Sequence, residues 1–248
     1  MEKISIHELD IGSLIENGSF SEVLRCNFDG KKYAFKKFNN PEEMINKDFI
    51  YKTEKLSDFF LKKSVLPKAW VCEDDMYSGY LMEMVDGEDY IFLTDYEKRV
   101  SALKNAKVAI MELHSNGIIH TDIHGSNILV LEDGSSMLID FDNFSYKEIK
   151  PLVEKYSDYA YQFVSSFGLS KDLDIYLFNL LTFSSLNKVS LKSSQIFICG
   201  GSYGVFDSKE SRQICDSLML DSKVFNNQYL IDTYDPKNKH KILGKKKT

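Results

Sequence analysis

Between Ile11 and Phe38 the chain reads as strand, turn, strand, strand, and Asn27-Phe28-Asp29-Gly30 makes a good hairpin turn between the last two. In Tyr33-Ala34-Phe35-Lys36 the two-residue period of a strand puts Ala34 and Lys36 on one face and Tyr33 and Phe35 on the other. Asn39-Asn40-Pro41-Glu42-Glu43 then starts a helix, with proline early and acids in the first turn. Tyr80 to Gly87 is an apolar strand running into an acidic turn. From Asp95 to Asn116 the period lengthens: Leu103, Ala106, Ile110 and Leu113 recur at three- and four-residue steps, and Gly117 stops the predicted helix. Two short strands, Asn127 to Leu131 and Ser136 to Ile139, flank the turn Glu132-Asp133-Gly134, and helices are expected from Ser211 to Thr233 after the break at Gly200-Gly201. No internal repeat interrupts this order.

Composition narrows the class. A chain of 248 residues with 43% apolar content is long enough for one large domain or two small lobes sharing a cleft. A net charge of −6 argues against a general nucleic-acid-binding surface. The longest apolar stretch, Ile175 to Phe183, is interrupted by Asn179 and is too short to span a bilayer. Charges in the N-terminal MEKISIHELD occupy the place where a signal peptide has its apolar core. Cys26, Cys72, Cys199 and Cys215 are widely spaced, as expected of free thiols in a reducing cytosol, so a cytoplasmic location is expected. Arginine is confined to Arg25, Arg99 and Arg212, which leaves few groups for bidentate phosphate clamps. Residues 236–248 hold six lysines and no acid, the composition of a flexible, solvated basic tail.

The candidate chemistry lies in His120-Thr121-Asp122-Ile123-His124-Gly125-Ser126-Asn127 and in Asp140-Phe141-Asp142. An Asp, an Asn five residues on, and a second Asp closing an apolar run are the layout of a phosphoryl-transfer site. Asp122 would accept a hydroxyl proton, while Asn127 and Asp140 would hold the divalent metal that offsets triphosphate charge. The pattern H-x-D-x-x-x-x-N followed by D-F-x resembles the catalytic and metal-binding loops of the protein kinase-like superfamily.

That resemblance implies an α+β, two-lobed kinase-like fold: a small β-rich N-lobe over residues 1–84 and a mainly helical C-lobe over 85–235. It also implies ATP with Mg²⁺ or Mn²⁺ as cofactors. Gly18 keeps the middle glycine of the phosphate-covering hairpin, where Glu16 and Ser21 replace the other two, and Val23 fits the same motif. Ala34 would lie beside adenine and Lys36 at the phosphates, since Tyr33-Ala34-Phe35-Lys36 resembles the family's V-A-I-K strand. Glu54, 18 residues after Lys36, is the expected carboxylate partner of that lysine; the family has an apolar residue four positions past this glutamate, and here Asp58 stands there. Met82 would be the gatekeeper, Glu83, Met84 and Val85 the connector whose backbone meets adenine, and Leu129 the floor beneath it. Asp174-Ile175-Tyr176-Leu177-Phe178 resembles the helix whose Asp braces the catalytic loop.

The departures from the family are specific. Thr121 replaces the arginine before the catalytic Asp, His124 replaces a lysine, and Asp142 replaces the glycine of D-F-G. The last two features are similar to aminoglycoside and choline kinases. The A-P-E signature and a late arginine to pair with it are absent. The short connection from Glu83 to His120 and the length from Asp140 to Asp174 favour the protein kinases. Three readings follow: a divergent serine/threonine protein kinase, with a protein substrate as partner; a small-molecule kinase with a hydroxyl acceptor; and a degenerate kinase domain acting as a binding scaffold.

Overall fold

The computed structural model describes residues 1–147, 149, 160, 164, 168–187 and 229–233. The chain divides into two compact units, one formed by Met1–Asp86 with Ile139–Leu152, the other by Gly87–Leu138 with Val153–Thr248.

The first unit is built on a six-stranded sheet in the order β1-β5-β6-β4-β3-β2. The three strands predicted between Ile11 and Phe38 are β2 (Asp10–Asn17), β3 (Ser21–Phe28) and β4 (Lys31–Phe38), joined as antiparallel neighbours. Asp29 and Gly30 turn between β3 and β4 with φ of 47° and 71°, the left-handed conformations that a two-residue hairpin needs. β6 (Met76–Glu83) pairs with β4 on one side and with β5 (Pro67–Glu73) on the other, and β1 (Glu2–Ser5) adds to β5 as a parallel edge strand.

Alternation on β4 divides two cores. Phe35 points into a cluster with Ile4, Cys26, Ala69, Val71 and Leu81. Phe38, on the opposite face, packs with Phe49, Trp70 and Tyr80, largely through edge-to-face ring contacts. Phe49 comes from the helix Lys47–Ser57 (α2), so that helix lies on the face that also carries Lys36.

The helix predicted from Asn39 stops after one turn. α1 covers only Pro41–Met44, and its N-cap Asn40 makes no side-chain bond to a helix amide. α2 (Lys47–Ser57) starts afresh at Asn46, whose Oδ1 accepts the Phe49 amide at 2.9 Å. A side-chain cap satisfies an N-terminal donor that α1 leaves without one, which favours the second start.

In the second unit α3 (Tyr96–Ser115) runs over the length its periodicity predicts. Asp95 caps it through the Lys98 amide at 2.8 Å, its apolar stripe includes Leu103, Ala106, Ile110 and Leu113, and Gly117 ends it at φ 72°. A three-stranded sheet, in the order β10-β9-β7, joins β7 (Glu88–Asp89), β9 (Ile128–Val130) and β10 (Ser136–Leu138). β9 and β10 are the two predicted short strands, each trimmed at its ends. α4 (Lys171–Asn187) extends the apolar helix predicted around Asp174, and a 3-10 turn at Leu230–Thr233 packs Ile231 out of solvent. The remainder of the helical expectation for 211–233, and the basic tail, fall outside the described residues. Among the described residues, no helix is long and apolar enough to cross a membrane.

One close approach fixes β6 against the site. A Cβ placed on Gly79 would lie 2.0 Å from the Lys36 carbonyl oxygen, backbone that cannot turn aside. Gly79→Ala should therefore push β6 off β4 and lower stability by about 1–3 kcal/mol. A thermal melt that is unchanged by this substitution would contradict the packing described.

Candidate active site

Lys36 is buried, at 4% exposure, on the α2 face of the sheet. Cross-strand register places Val23 and Tyr80 beside it, and pairs Ala34, two residues earlier on β4, with Met82. Directly opposed residues of antiparallel strands share a face, so four sequence-predicted residues, Val23, Ala34, Lys36 and Met82, line one surface. Ala34 is buried there, while Val23 and Met82 are half-buried. Gly18 sits in the exposed β2–β3 hairpin, its amide bonded to the Ser21 carbonyl at 2.9 Å. Glu83 closes β6, exposed, and Met84 follows it.

A buried ammonium requires a counter-charge, and the segment after Leu138 provides two. Lys36 Nζ lies 2.7 Å from Asp140 Oδ1 and 2.7 Å from Asp142 Oδ2. Burial alone would lower the lysine's pKa, but Asp140 and Asp142 outweigh it and hold the ammonium well above its ordinary value. Asp142 is raised, chiefly by burial and against the pull of Lys36. The Tyr80 hydroxyl donates to Asp142 Oδ1 at 2.7 Å, so both oxygens of this carboxylate are engaged. Asp140 keeps a side chain 41% exposed and holds φ at 64°, an uncommon conformation for a residue with a Cβ.

Glu54 is not the partner of Lys36. The buried stripe of α2 is Phe49, Lys52, Thr53 and Leu56, and Glu54 lies about 200° round the helix from Lys52. Its charge is instead felt by Lys3 on β1. Lys52 occupies the inward position and is 1% exposed. Its ammonium donates to the Phe144 carbonyl at 2.6 Å and lies over the Phe49 and Phe144 rings. The missed signal was the apolar residue four positions on: Leu56 follows Lys52 at that spacing, whereas Asp58 follows Glu54.

In the second unit, Asp174 on α4 is fully buried, and both its oxygens are used. Oδ2 accepts the His120 amide at 2.8 Å and Oδ1 accepts the Thr121 amide at 2.7 Å, with His114 Nε2 a further 2.9 Å from Oδ2. These bonds hold Thr121 at φ 69°, a conformation that a β-branched residue adopts at a cost of about 1–3 kcal/mol. The loop leaves β8 (Ile118–Ile119) and closes at Asn127, whose Nδ2 donates to the Asp122 carbonyl at 2.9 Å. Asp122 is half-buried, with His124 Nε2 3.5 Å from its Oδ2. Leu129 follows on β9, half-buried.

The protein kinase domain family matches residues 9–165, a span holding Lys36, the loop from His120 to Asn127, and Asp140. The chain belongs to the protein kinase domain family. It is 27% identical over 193 residues to the serine/threonine-protein kinase greatwall of Canis lupus familiaris, covering 74% of this chain and 19% of that protein. To greatwall of Gallus gallus it is 30% identical over 146 residues, 55% of this chain and 16% of that protein. The serine/threonine-protein kinase PKH2 of Saccharomyces cerevisiae is 29% identical over 157 residues, 56% of this chain and 14% of that protein. The chain thus spans less than a fifth of the length of these relatives. The Asp174 carboxylate accepts the His120 and Thr121 amides, and Lys36 pairs with Asp140 and Asp142 rather than with Glu54.

Each unit by itself presents a hard oxygen donor of the kind that magnesium takes. Mg²⁺ takes hard oxygen ligands, often one or two protein groups plus substrate phosphates. In the first unit Asp140 has a part-exposed carboxylate, and in the second, taken by itself, the Asn127 amide donates through Nδ2 and keeps a carbonyl oxygen as a possible ligand. Among the described residues no three His, Cys, Asp or Glu side chains form a metal-binding group.

Lys52 provides a stability test of this arrangement. Burial lowers its pKa from 10.5 to about 8, against the opposing charges of Asp142 and Asp48. Between those values the unfolded chain binds more protons than the folded one, so stability rises with pH through this window. From pH 7.5 to 9.5 the lysine should contribute a gain on the order of 2 kcal/mol. Urea unfolding of the wild type and of Lys52→Met at both pH values should show this gain in the wild type and a flatter dependence in the variant.

Proposed function

We propose that this chain is an ATP- and magnesium-dependent phosphotransferase that passes the γ-phosphate to a serine or threonine hydroxyl of a protein. The observation that carries this reading is the loop from His120 to Asn127, held through two backbone amides by the buried Asp174 and presenting Asp122 part-exposed within a protein kinase domain. A scaffold has no need of a strained loop fixed around a half-exposed carboxylate.

In this reading Lys36 binds the nucleotide phosphates, with Ala34, Met82 and the Glu83–Met84 backbone around adenine and Leu129 beneath it. Val23 and Gly18 cover the phosphates, with fewer glycine amides than the family's full motif provides. Asp140 and Asn127 are the residues that would hold a magnesium ion, which would offset phosphate charge when bound. Asp122 orients the acceptor hydroxyl and takes its proton as the oxygen attacks the γ-phosphorus in line. His124, 3.5 Å from Asp122, stands where protein kinases carry a lysine, and a neutral imidazole there stabilises developing negative charge less than an ammonium. A modest turnover rate is expected. The protein acceptor is favoured by the relatives, which are named serine/threonine-protein kinases. The small-molecule reading is favoured by His124 alone, since Asp142 is occupied by Lys36 and Tyr80.

Incubation with γ-labelled ATP and a generic basic protein should label protein, and Asp122→Asn should lower the rate by roughly 10²–10⁴-fold while nucleotide binding persists. Label found only in dialysable products would transfer the assignment to the small-molecule kinases. No label in any product, with ATP bound, would leave the scaffold.

Activity should also survive phosphatase treatment. Phosphorylation-regulated kinases pair the arginine before the catalytic Asp with a phosphorylated loop residue, and Thr121 carries no charge for such a pair. Its amide is moreover already bonded to Asp174. A loss of tenfold or more on dephosphorylation, about 1.4 kcal/mol in the barrier, would contradict this expectation.

A further inference from the structure

In the protein kinases, the strand lysine is held by a glutamate on the following helix, and placing that helix controls the pair. Here the inward helix position belongs to Lys52, a cation, which reaches the Phe144 carbonyl rather than a carboxylate. Asp142, at the position of the D-F-G glycine, supplies an acid instead, 2.7 Å from Lys36. We propose that Asp142, fixed by Tyr80, is the positioning residue that holds Lys36 for the nucleotide phosphates, and that the helix carries no acid for this task.

Three observations support the exchange. Lys36 and Tyr80 are opposed in register on β4 and β6, so both side chains leave the same face and converge on one carboxylate, Lys36 on Oδ2 and Tyr80 on Oδ1. The Asp142 side chain is only 15% exposed, against 41% for Asp140. With both of its oxygens engaged, Asp142 is suited to holding the lysine, while the more open Asp140 is suited to a cation. Finally, Lys52 ties α2 to the same acidic segment through the Phe144 carbonyl, so the helix meets the segment that carries Asp142 but makes no bond to Lys36.

The two changes belong together. A glycine at 142 would leave Lys36 with Asp140 alone, and a lysine ammonium on Asp140 competes with a metal ion for the same oxygens. With Asp142 present, the ammonium is shared between Asp140 Oδ1 and Asp142 Oδ2, each at 2.7 Å, rather than resting on Asp140 alone. α2 therefore bears on the lysine's ion pairs only through the Lys52 bond to the Phe144 carbonyl, not through an acid of its own.

The role of Asp142 toward ATP rests on the phosphotransferase reading, but its hold on Lys36 can be measured without nucleotide. Asp142→Asn, Tyr80→Phe and Glu54→Gln proteins, each checked for folding by thermal melt, would be treated with an amine-acylating reagent and the labelling rate of Lys36 followed by peptide mass spectrometry. Affinity for Mg-ATP would be measured in parallel by displacement of a fluorescent ATP analogue. Loss of the clamp lets the lysine leave its buried site, so Asp142→Asn should speed Lys36 labelling at least fivefold and weaken Mg-ATP at least fivefold. Tyr80→Phe, which removes one bond from Asp142 and keeps the ring, should move both in the same direction by a smaller factor, and it decides the matter if Asp142→Asn does not fold. Glu54→Gln should leave both within twofold. Unchanged labelling in Asp142→Asn and Tyr80→Phe, or labelling accelerated by Glu54→Gln, would overturn the proposal. If labelling follows the expected order but the wild type does not bind Mg-ATP, the hold on Lys36 stands and the phosphotransferase reading fails.

Discussion

An ammonium placed inside a protein has to be balanced, and much of the first unit is arranged around balancing Lys36. Removing one partner from a buried ion pair typically costs about 3–5 kcal/mol, because the remaining charge is stranded. That constraint explains why the segment after Leu138 brings two carboxylates to one lysine, and why a tyrosine with a hydroxyl to donate, rather than a purely apolar residue, stands at position 80. It also explains Gly79: β6 must lie close enough to β4 for Tyr80 to reach Asp142, and a side chain there would meet the Lys36 carbonyl.

The second unit solves a matching problem with the opposite sign. Asp174 is a buried carboxylate, and backbone amides, with His114 beside them, satisfy it. Charge-assisted bonds of this kind are short and strong, and they hold Thr121 in a left-handed conformation that its side chain disfavours. The loop is thereby preorganised before any ligand arrives. Asn127 closes it from the other end, using its amide nitrogen on the Asp122 carbonyl.

Much of this was legible along the chain. Two-residue alternation marked β4, and three- and four-residue steps marked α3 almost to its caps, because such periods follow directly from backbone geometry. The order and separations of Lys36, Asp122, Asn127, Asp140 and Asp174 pointed to the kinase family, since each of those residue types is set by the chemistry it serves. β1 escaped notice: it is an edge strand defined by its parallel partner β5 rather than by any pattern of its own.

What the sequence by itself determined was therefore the set of local periods and the ordered list of polar residues. Which acid meets Lys36 was decided only by tertiary structure. Counting residues from Lys36 pointed to Glu54, but a helix turns about 100° per residue, and the separate start of α2 at Asn46 sets which side chains face inward. Two positions of phase carried Glu54 away and brought Lys52 in. The carboxylate came instead from Asp142, over a hundred residues along the chain, together with a tyrosine whose relevance is visible only in the pairing of β4 with β6. Ion pairs depend on distance in space, and no one-dimensional spacing encodes a distance that helix phase and strand register together set.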